Sequence, residues 1–90
     1  MNTLLVGYDL NRPSQNYEDL FKIIKAEGTW CHNLDSAWLV RSSKTASELL
    51  ETIAGHIGKS DEVIVIDITG RSAAWINFPQ EASDWVQRNL

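Results

Sequence analysis

Hydrophobic and polar residues along the chain follow two periods, one close to two residues and one close to 3.6. Residues 3–9 are apolar on both faces of an extended segment, which is typical of a strand in the middle of a sheet. In residues 17–24 apolar side chains recur at the spacing of one helix face, and Gly28 follows where such a helix should end. The chain therefore opens with a predicted central strand and an amphipathic helix.

The middle of the chain repeats this alternation. Residues 30–42 are rich in β-forming side chains around a turn signal at residues 33–36, so they form either a hairpin, which we favour, or one bent strand. Thr45 and Glu48 have the spacing of a capping box, which predicts the start of a second helix. Residues 62–68 then predict a second strand that is apolar on both faces.

A short appendage is predicted after this strand. Residues 73–76 have the composition of a short edge strand, and Pro79 marks the start of a helix over residues 80–89. The element order is then βαββαβ followed by a short C-terminal strand and helix. Two interleaved right-handed β-α-β units form an α+β ferredoxin-like split sandwich, so we expect residues 1–90 to fold as a single domain.

A sandwich of this kind covers one sheet face with helices and leaves the other face bare. Because both predicted central strands are apolar on both faces, the bare face needs an apolar cover, and a second copy of the chain is the simplest one. The chain is also short and carries four Trp, and a domain of this size buries only about 60–65% of its unfolded surface. We therefore expect a homodimer with Trp38 and Trp75 as interface anchors.

Charge and cysteine content indicate which partners and which cellular compartment to expect. Twelve acidic residues outnumber eight Lys and Arg, and the net charge of -4 disfavours tight, non-specific binding of nucleic acid by a monomer. The single Cys31 excludes an internal disulfide and fits a reducing compartment. No apolar run reaches the length of a membrane span and residues 1–3 lack the basic start of a signal peptide, so we expect a cytoplasmic protein with no membrane partner.

Asp9 is the leading candidate for chemistry. It ends the first strand, where a rigid element delivers its carboxylate to the rim of the sheet. Two Asp9 side chains that meet across a dimer axis offer the oxygen ligands that Mg²⁺ or Mn²⁺ prefers, whereas in the alternative interpretation Asp9 simply begins a turn. An antiparallel last strand would bring Asp61 and Glu62 to the same rim and send Asp67 to the opposite end.

Two arginines are candidates for binding phosphate beside Asp9. Arg12 lies in the loop that follows Asp9, and Arg41 ends a strand that we expect to run parallel to the first and to reach the same rim. A guanidinium in that position either binds a phosphate group of RNA or DNA or pairs with a carboxylate in a structural ion pair.

The element order and two short motifs resemble a known group of proteins. Tyr8-Asp9-Leu10 at the end of an apolar strand, residues 34–40, a capped helix and an Ile/Val-rich strand look like the small bacterial proteins labelled SinR-like. More distantly, they resemble the Cas-two-like subunits of CRISPR adaptation and the VapD-type toxins. The resemblance implies a ferredoxin-like homodimer in which Asp9 binds a divalent metal between protomers and takes part in the cleavage of RNA or DNA.

Two classes of function follow from these observations. One is a Mg²⁺- or Mn²⁺-dependent nuclease in which Asp9 is both metal ligand and catalytic residue, and Arg12 or Arg41 steadies the phosphate. The alternative is a non-catalytic homodimer that binds protein or nucleic acid, as other Cas-two-like members hold DNA. The acidic charge favours the second class, and the resemblance favours the first.

Overall fold

A computed structural model of the chain describes residues 1–11 and 17–90. The strands and helices in these ranges are β1 (Asn2–Asp9), α1 (Glu18–Ala26), β2 (Trp30–Leu34), β3 (Ala37–Ser42), α2 (Ala46–Ala54), β4 (Glu62–Asp67) and α3 (Gln80–Asn89). The sheet has the strand order β2-β3-β1-β4 with antiparallel neighbours, which confirms the predicted α+β class and is compatible with a ferredoxin-like fold. None of the helices in the described ranges is long and apolar enough to cross a lipid bilayer.

Helix α2 begins where the sequence predicts it, at a complete capping box. Thr45 Oγ1 accepts a hydrogen bond from the Glu48 N–H at 3.2 Å, and Glu48 Oε1 accepts one from the Thr45 N–H at 2.9 Å. The helix ends at Ala54. The Gly58 N–H donates to Asp61 Oδ2 at 2.9 Å and so takes no part in the helical hydrogen-bond ladder.

The segment that joins α1 to β2 passes close to β3. The predicted hairpin is confirmed, with β2 and β3 paired antiparallel around a two-residue turn at 35–36. A Cβ atom on Gly28 would lie 2.4 Å from the Arg41 carbonyl oxygen, and the Arg41 N–H donates to the Thr29 carbonyl at 2.9 Å. Glycine is therefore required at this position, because any side chain would force the two backbones apart.

The core lies between one face of the sheet and helices α1 and α2. Eight buried apolar side chains form it: Leu4, Val6, Leu20, Ile24, Trp38, Val40, Leu49 and Ile53. Trp38 is 2% exposed, and its indole N–H donates to the Tyr8 hydroxyl at 2.9 Å. Trp38 is therefore not the exposed interface anchor expected from the sequence, because β3 directs this side chain into the core of its own protomer.

The second face of the sheet is partly covered by the chain itself, which corrects the expectation of a bare face. After β4 the chain turns at Gly70, where φ is 69°, and crosses the second face as an irregular segment before α3. Side chains of this segment and of α3, including the buried Val86, line a cleft of about 180 Å³ together with Leu5 of β1. Residues 73–76 do not form the predicted edge strand, because the turn directs them across the sheet rather than along its edge.

Trp75, the other predicted interface anchor, belongs to this cover. Its indole N–H donates to Ser83 Oγ of α3 at 3.0 Å, and its ring centroid lies 6.5 Å from that of Phe78. The ring thus fastens the irregular segment to α3 within one chain. Its contact with a partner stays a prediction.

Candidate functional site

Asp9 lies on the exposed rim of the sheet, opposite Glu62 in the register of β1 and β4. The two carboxylates are therefore cross-strand neighbours on one face of the sheet. Asp67 pairs with Leu4 at the other end of these strands. The prediction that Glu62 approaches Asp9 whereas Asp67 does not is confirmed.

Asp61 precedes β4 and joins three parts of the chain. The carboxylate is only 7% exposed, and it accepts hydrogen bonds from the Asn11 N–H at 2.8 Å, the Tyr17 hydroxyl at 2.8 Å and the Gly58 N–H at 2.9 Å. It thus ties the loop after β1 and the start of α1 to the turn between α2 and β4. Sequence reasoning placed Asp61 near this rim but missed its structural role, because two of its donors, Asn11 and Tyr17, are distant in the sequence.

The carboxylates on this rim do not form a closed metal centre. Among the described residues, no group of three or more His, Cys, Asp or Glu side chains is placed to hold a metal ion. Proteins bind Mg²⁺ with as few as one or two carboxylates when water and substrate phosphate oxygens complete the octahedron, so Asp9 and Glu62 meet the minimum. A site formed by two Asp9 side chains across a dimer axis would also have to accommodate the cover on the second face.

Arg41 lies at the opposite end of the sheet from Asp9, which corrects its expected placement. Strand β3 runs antiparallel to β1, not parallel, because a hairpin reverses the chain after β2; the end of β3 therefore pairs with the start of β1, and Arg41 is opposite Thr3. Arg41 Nη1 donates to Thr3 Oγ1 at 2.9 Å and to the Asn89 carbonyl at 3.3 Å. The guanidinium thus holds the end of α3 against the sheet. Arg12, the other predicted phosphate ligand, lies outside the described residues.

A groove of about 570 Å³ lies beside β2 and α3. Because the Thr29 carbonyl accepts the Arg41 N–H of β3, the alternation of antiparallel pairing directs the backbone N–H and C=O of Trp30 away from β3. In the sheet that the described residues form, β2 is an edge strand, so these groups face its open side. Aromatic, polar and charged side chains line the groove: Trp30, His32, Asn33, Glu81, Trp85 and Arg88.

Aromatic rings at the β2 side of the groove are held in place by stacking. The His32 ring stacks on that of Trp38 with centroids 3.8 Å apart, and the Trp30 ring lies 5.2 Å from Trp38. Lys25 Nζ lies 5.1 Å from the Trp30 ring, within the range of a cation–π contact. On the α3 side, the Trp85 indole N–H is buried and has no hydrogen-bond partner among the described residues.

Cys31 also lines this groove. Burial raises the pKa of its thiol, and a hydrogen bond with the Asn33 backbone offsets part of that effect. A raised pKa leaves less of the thiol in the thiolate form, which is the nucleophile. The only sequence signal for the groove is the three-residue spacing of Trp85 and Arg88, which puts both on one side of α3.

Comparison with known proteins identifies no relative. No protein-family model, curated protein or solved structure matches the chain.

Proposed function

We propose that the protein is a non-catalytic binding module that holds an extended peptide segment of another protein along the outer edge of β2. The observation that carries this proposal is the groove beside β2 and α3, at the edge where the backbone of Trp30 is directed outward. An extended peptide adds to such an edge as a further strand, and its main-chain hydrogen bonds supply affinity for many sequences.

Side chains around the groove supply selectivity. Alternate residues of an added strand point to the same face of the sheet, so every second peptide side chain is directed toward α3 and Trp85. An indole ring offers a large contact area and loses little conformational entropy on binding. Arg88 and His32 are donors to acidic groups, whereas Glu81 is the one acidic residue of the lining. We therefore expect peptides that carry both apolar and acidic residues.

A peptide is favoured over RNA or DNA as the occupant. The chain carries a net charge of -4, and binding to a phosphate backbone requires clusters of cations. Arg41 is already bonded to Thr3 and to the end of α3. Arg88 is the one Arg or Lys among the lining residues, and the lining also contains the acidic Glu81.

Selection from a library of random octapeptides tests the proposal. Peptides captured by the full chain should bind with micromolar affinity in calorimetry and should shift the amide NMR signals of Trp30 and Asn33. Arg88→Glu should weaken binding about tenfold, as expected for the loss of an interfacial charge contact. Arg71→Glu, at an exposed position outside the groove lining, is the matched control and should leave binding unchanged.

The proposal fails if no peptide is selected, or if the selected peptides bind the wild type and Arg88→Glu equally well. Binding of a single-stranded RNA or DNA oligonucleotide in the groove, lost in Arg88→Glu, would instead assign the site to nucleic acid.

A metal-dependent nuclease is the second candidate function. The observation that favours it is the pairing of Asp9 with Glu62 on the exposed rim, in keeping with the resemblance to SinR-like and Cas-two-like proteins. A Mg²⁺ or Mn²⁺ ion between these carboxylates would relieve their mutual repulsion and would polarise a phosphodiester. Asp9 would then be the metal ligand on which cleavage depends.

Thermal unfolding with Mn²⁺ and cleavage assays with Mg²⁺, Mn²⁺ or EDTA test this candidate. If a site exists, Mn²⁺ raises the Tm of the wild type but not that of Asp9→Asn, and cleavage of RNA or DNA is lost in both Asp9→Asn and EDTA. Asp35→Asn, in the exposed hairpin turn, is the matched control. If Mn²⁺ causes no Tm shift that depends on Asp9, and no cleavage depends on Asp9, the nuclease hypothesis is wrong.

A further inference from the structure

Strand β4 forms the edge of the sheet opposite β2, and its outward-facing backbone groups follow a regular order. The Ile68 N–H donates to the Thr3 carbonyl at 2.9 Å, so the pairing with β1 continues through Ile66 and Ile64. By the alternation of antiparallel ladders, the N–H and C=O groups of Val63, Val65 and Asp67 point to the open side. These three residues offer main-chain donors and acceptors to a further strand.

Among the described residues, the part of the β4 edge between Glu62 and Asp67 has none of the features that keep sheet edges apart. Residues 63–66 contain only Val and Ile, and their register with β1 is unbroken by a bulge. Ile64 is 56% exposed and Ile66 is 44% exposed. Sheet edges are usually protected by charged residues, proline, bulges or a covering element.

We propose that β4 pairs antiparallel with β4 of a second copy of this chain, about a two-fold axis through Val65. In this register Val65 lies opposite the partner's Val65, and Val63 lies opposite the partner's Asp67. The outward-facing N–H and C=O groups of each strand therefore face those of the other and can form hydrogen bonds. Ile64 lies opposite the partner's Ile66. The exposed isoleucines of both copies then cover one another on the second face of the sheet.

Charge and hydrophobic matching favour this axis over those through the other two outward-facing residues, Val63 and Asp67. An axis through Asp67 would set two like carboxylates directly opposite each other, which is unfavourable. An axis through Val63 would set Val65 and Ile66 opposite the partner's Asp61 and the partner's Ser60, so neither would have an apolar partner. Of these three axes, the one through Val65 therefore joins the apolar residues and keeps like charges apart.

The size of the contact sets the strength of the association. A six-residue strand spans about 20 Å, so the paired edges fall in the class below about 1,200 Å² of total buried area that is typical of weak complexes. We therefore expect a dimer that forms in the micromolar range or above. The β2 groove lies at the other edge of the sheet, so failure of either proposal leaves the other standing.

Sedimentation of the full chain from micromolar to submillimolar concentration tests the association. The wild type should shift from 10.2 kDa toward twice that mass. Ile66→Lys should weaken the dimer about tenfold or more, because a charge replaces a central apolar contact. Ile76→Lys is the matched control, since Ile76 is 80% exposed and lies outside β4. A monomer at every concentration, or an equal effect of both variants, overturns the proposal.

Cysteine cross-linking tests the register independently of affinity. In a Cys31→Ser background, Val65→Cys places two thiols on directly opposed residues, with Cα atoms about 5.5 Å apart, within the range of a disulfide. Asp67→Cys places its two thiols four positions out of register, too far to join. Mild oxidation should therefore cross-link Val65→Cys and leave Asp67→Cys monomeric. The reverse order, or equal cross-linking, overturns the proposed axis, and circular dichroism confirms that both variants fold.

Discussion

Arg41 Nη1 and Thr3 Oγ1 lie 2.9 Å apart, and this hydrogen bond joins the end of β3 to the start of β1 beneath the end of α3. Thr3 is fully buried, and its hydroxyl also bonds the Asn89 carbonyl. Arg41→Met keeps an apolar stem but removes the donor to both groups. We expect the free energy of unfolding to fall by about 1–2 kcal/mol in urea denaturation.

Arg71→Met is the matched control for that measurement. Arg71 is exposed in the segment after β4, and its replacement should change the free energy of unfolding by less than about 0.5 kcal/mol. Equal stability of the two variants would contradict the role of Arg41 in anchoring α3.

Asp61→Asn should destabilise the protein strongly. The carboxylate accepts hydrogen bonds from Asn11, Tyr17 and Gly58, and an amide replaces one of its acceptor oxygens with a donor that faces another donor. We expect a loss of about 2 kcal/mol or more in the free energy of unfolding, measured by chemical denaturation. Asp35→Asn in the exposed hairpin turn should have little effect, and a similar loss in both variants would contradict the assignment.

The capping box of α2 predicts a pH dependence. Hydrogen bonds from the Thr45 backbone N–H and then from its side chain lower the pKa of Glu48 below its ordinary value. Because the folded-state pKa is the lower one, the stabilisation is fully present above the unfolded pKa of about 4.3 and is lost as pH falls through the folded value.

Glu48→Gln should therefore lower the Tm near neutral pH, and its difference from the wild type should shrink in acid. Glu51→Gln on the same helix is the control, since Glu51 is exposed and outside the capping box. A difference that stays constant from neutral pH into acid would contradict the ionic contribution to the cap.

Replacement by alanine should have opposite effects on the stability of the protein at two glycines. A Cβ at Gly28 would lie 2.4 Å from the Arg41 carbonyl oxygen, so Gly28→Ala should destabilise by about 1–3 kcal/mol. At Gly55, the C-cap of α2, φ is -72° and nothing lies within 4 Å of a Cβ, so Gly55→Ala should stabilise by about 0.4–1 kcal/mol. Thermal unfolding compares the two, and a neutral Gly28→Ala would contradict the close approach.

Elements with local signals were predictable from the sequence, whereas the neighbours of a strand residue were predictable only where the direction of the strand was predicted correctly. The capping box at Thr45 and Glu48 lies within one helical turn, and it forms as expected. The neighbouring placement of Asp9 and Glu62 needed only the antiparallel course of β4. The prediction for Arg41 was wrong because its position depends on the direction of β3, which the hairpin reverses relative to β2.

The path of the C-terminal residues could not be predicted from the periodicity of the sequence. Residues 73–76 have strand-like composition, but composition does not tell an edge from a face. The turn at Gly70 decides between the two and sends the segment across the sheet. The groove at Trp85 was missed for the same reason, since it exists only once α3 lies beside β2.

The central position of β1 has a consequence for synthesis on the ribosome. β1 emerges before β3 and β4, yet it lies between these two strands, whose last residues are Ser42 and Asp67. At a translation rate of about 5–20 residues per second, this apolar strand waits several seconds for its second neighbour. During that interval the nascent chain exposes an incompletely paired apolar strand, and co-translational chaperone binding should be greatest before residue 67 leaves the exit tunnel.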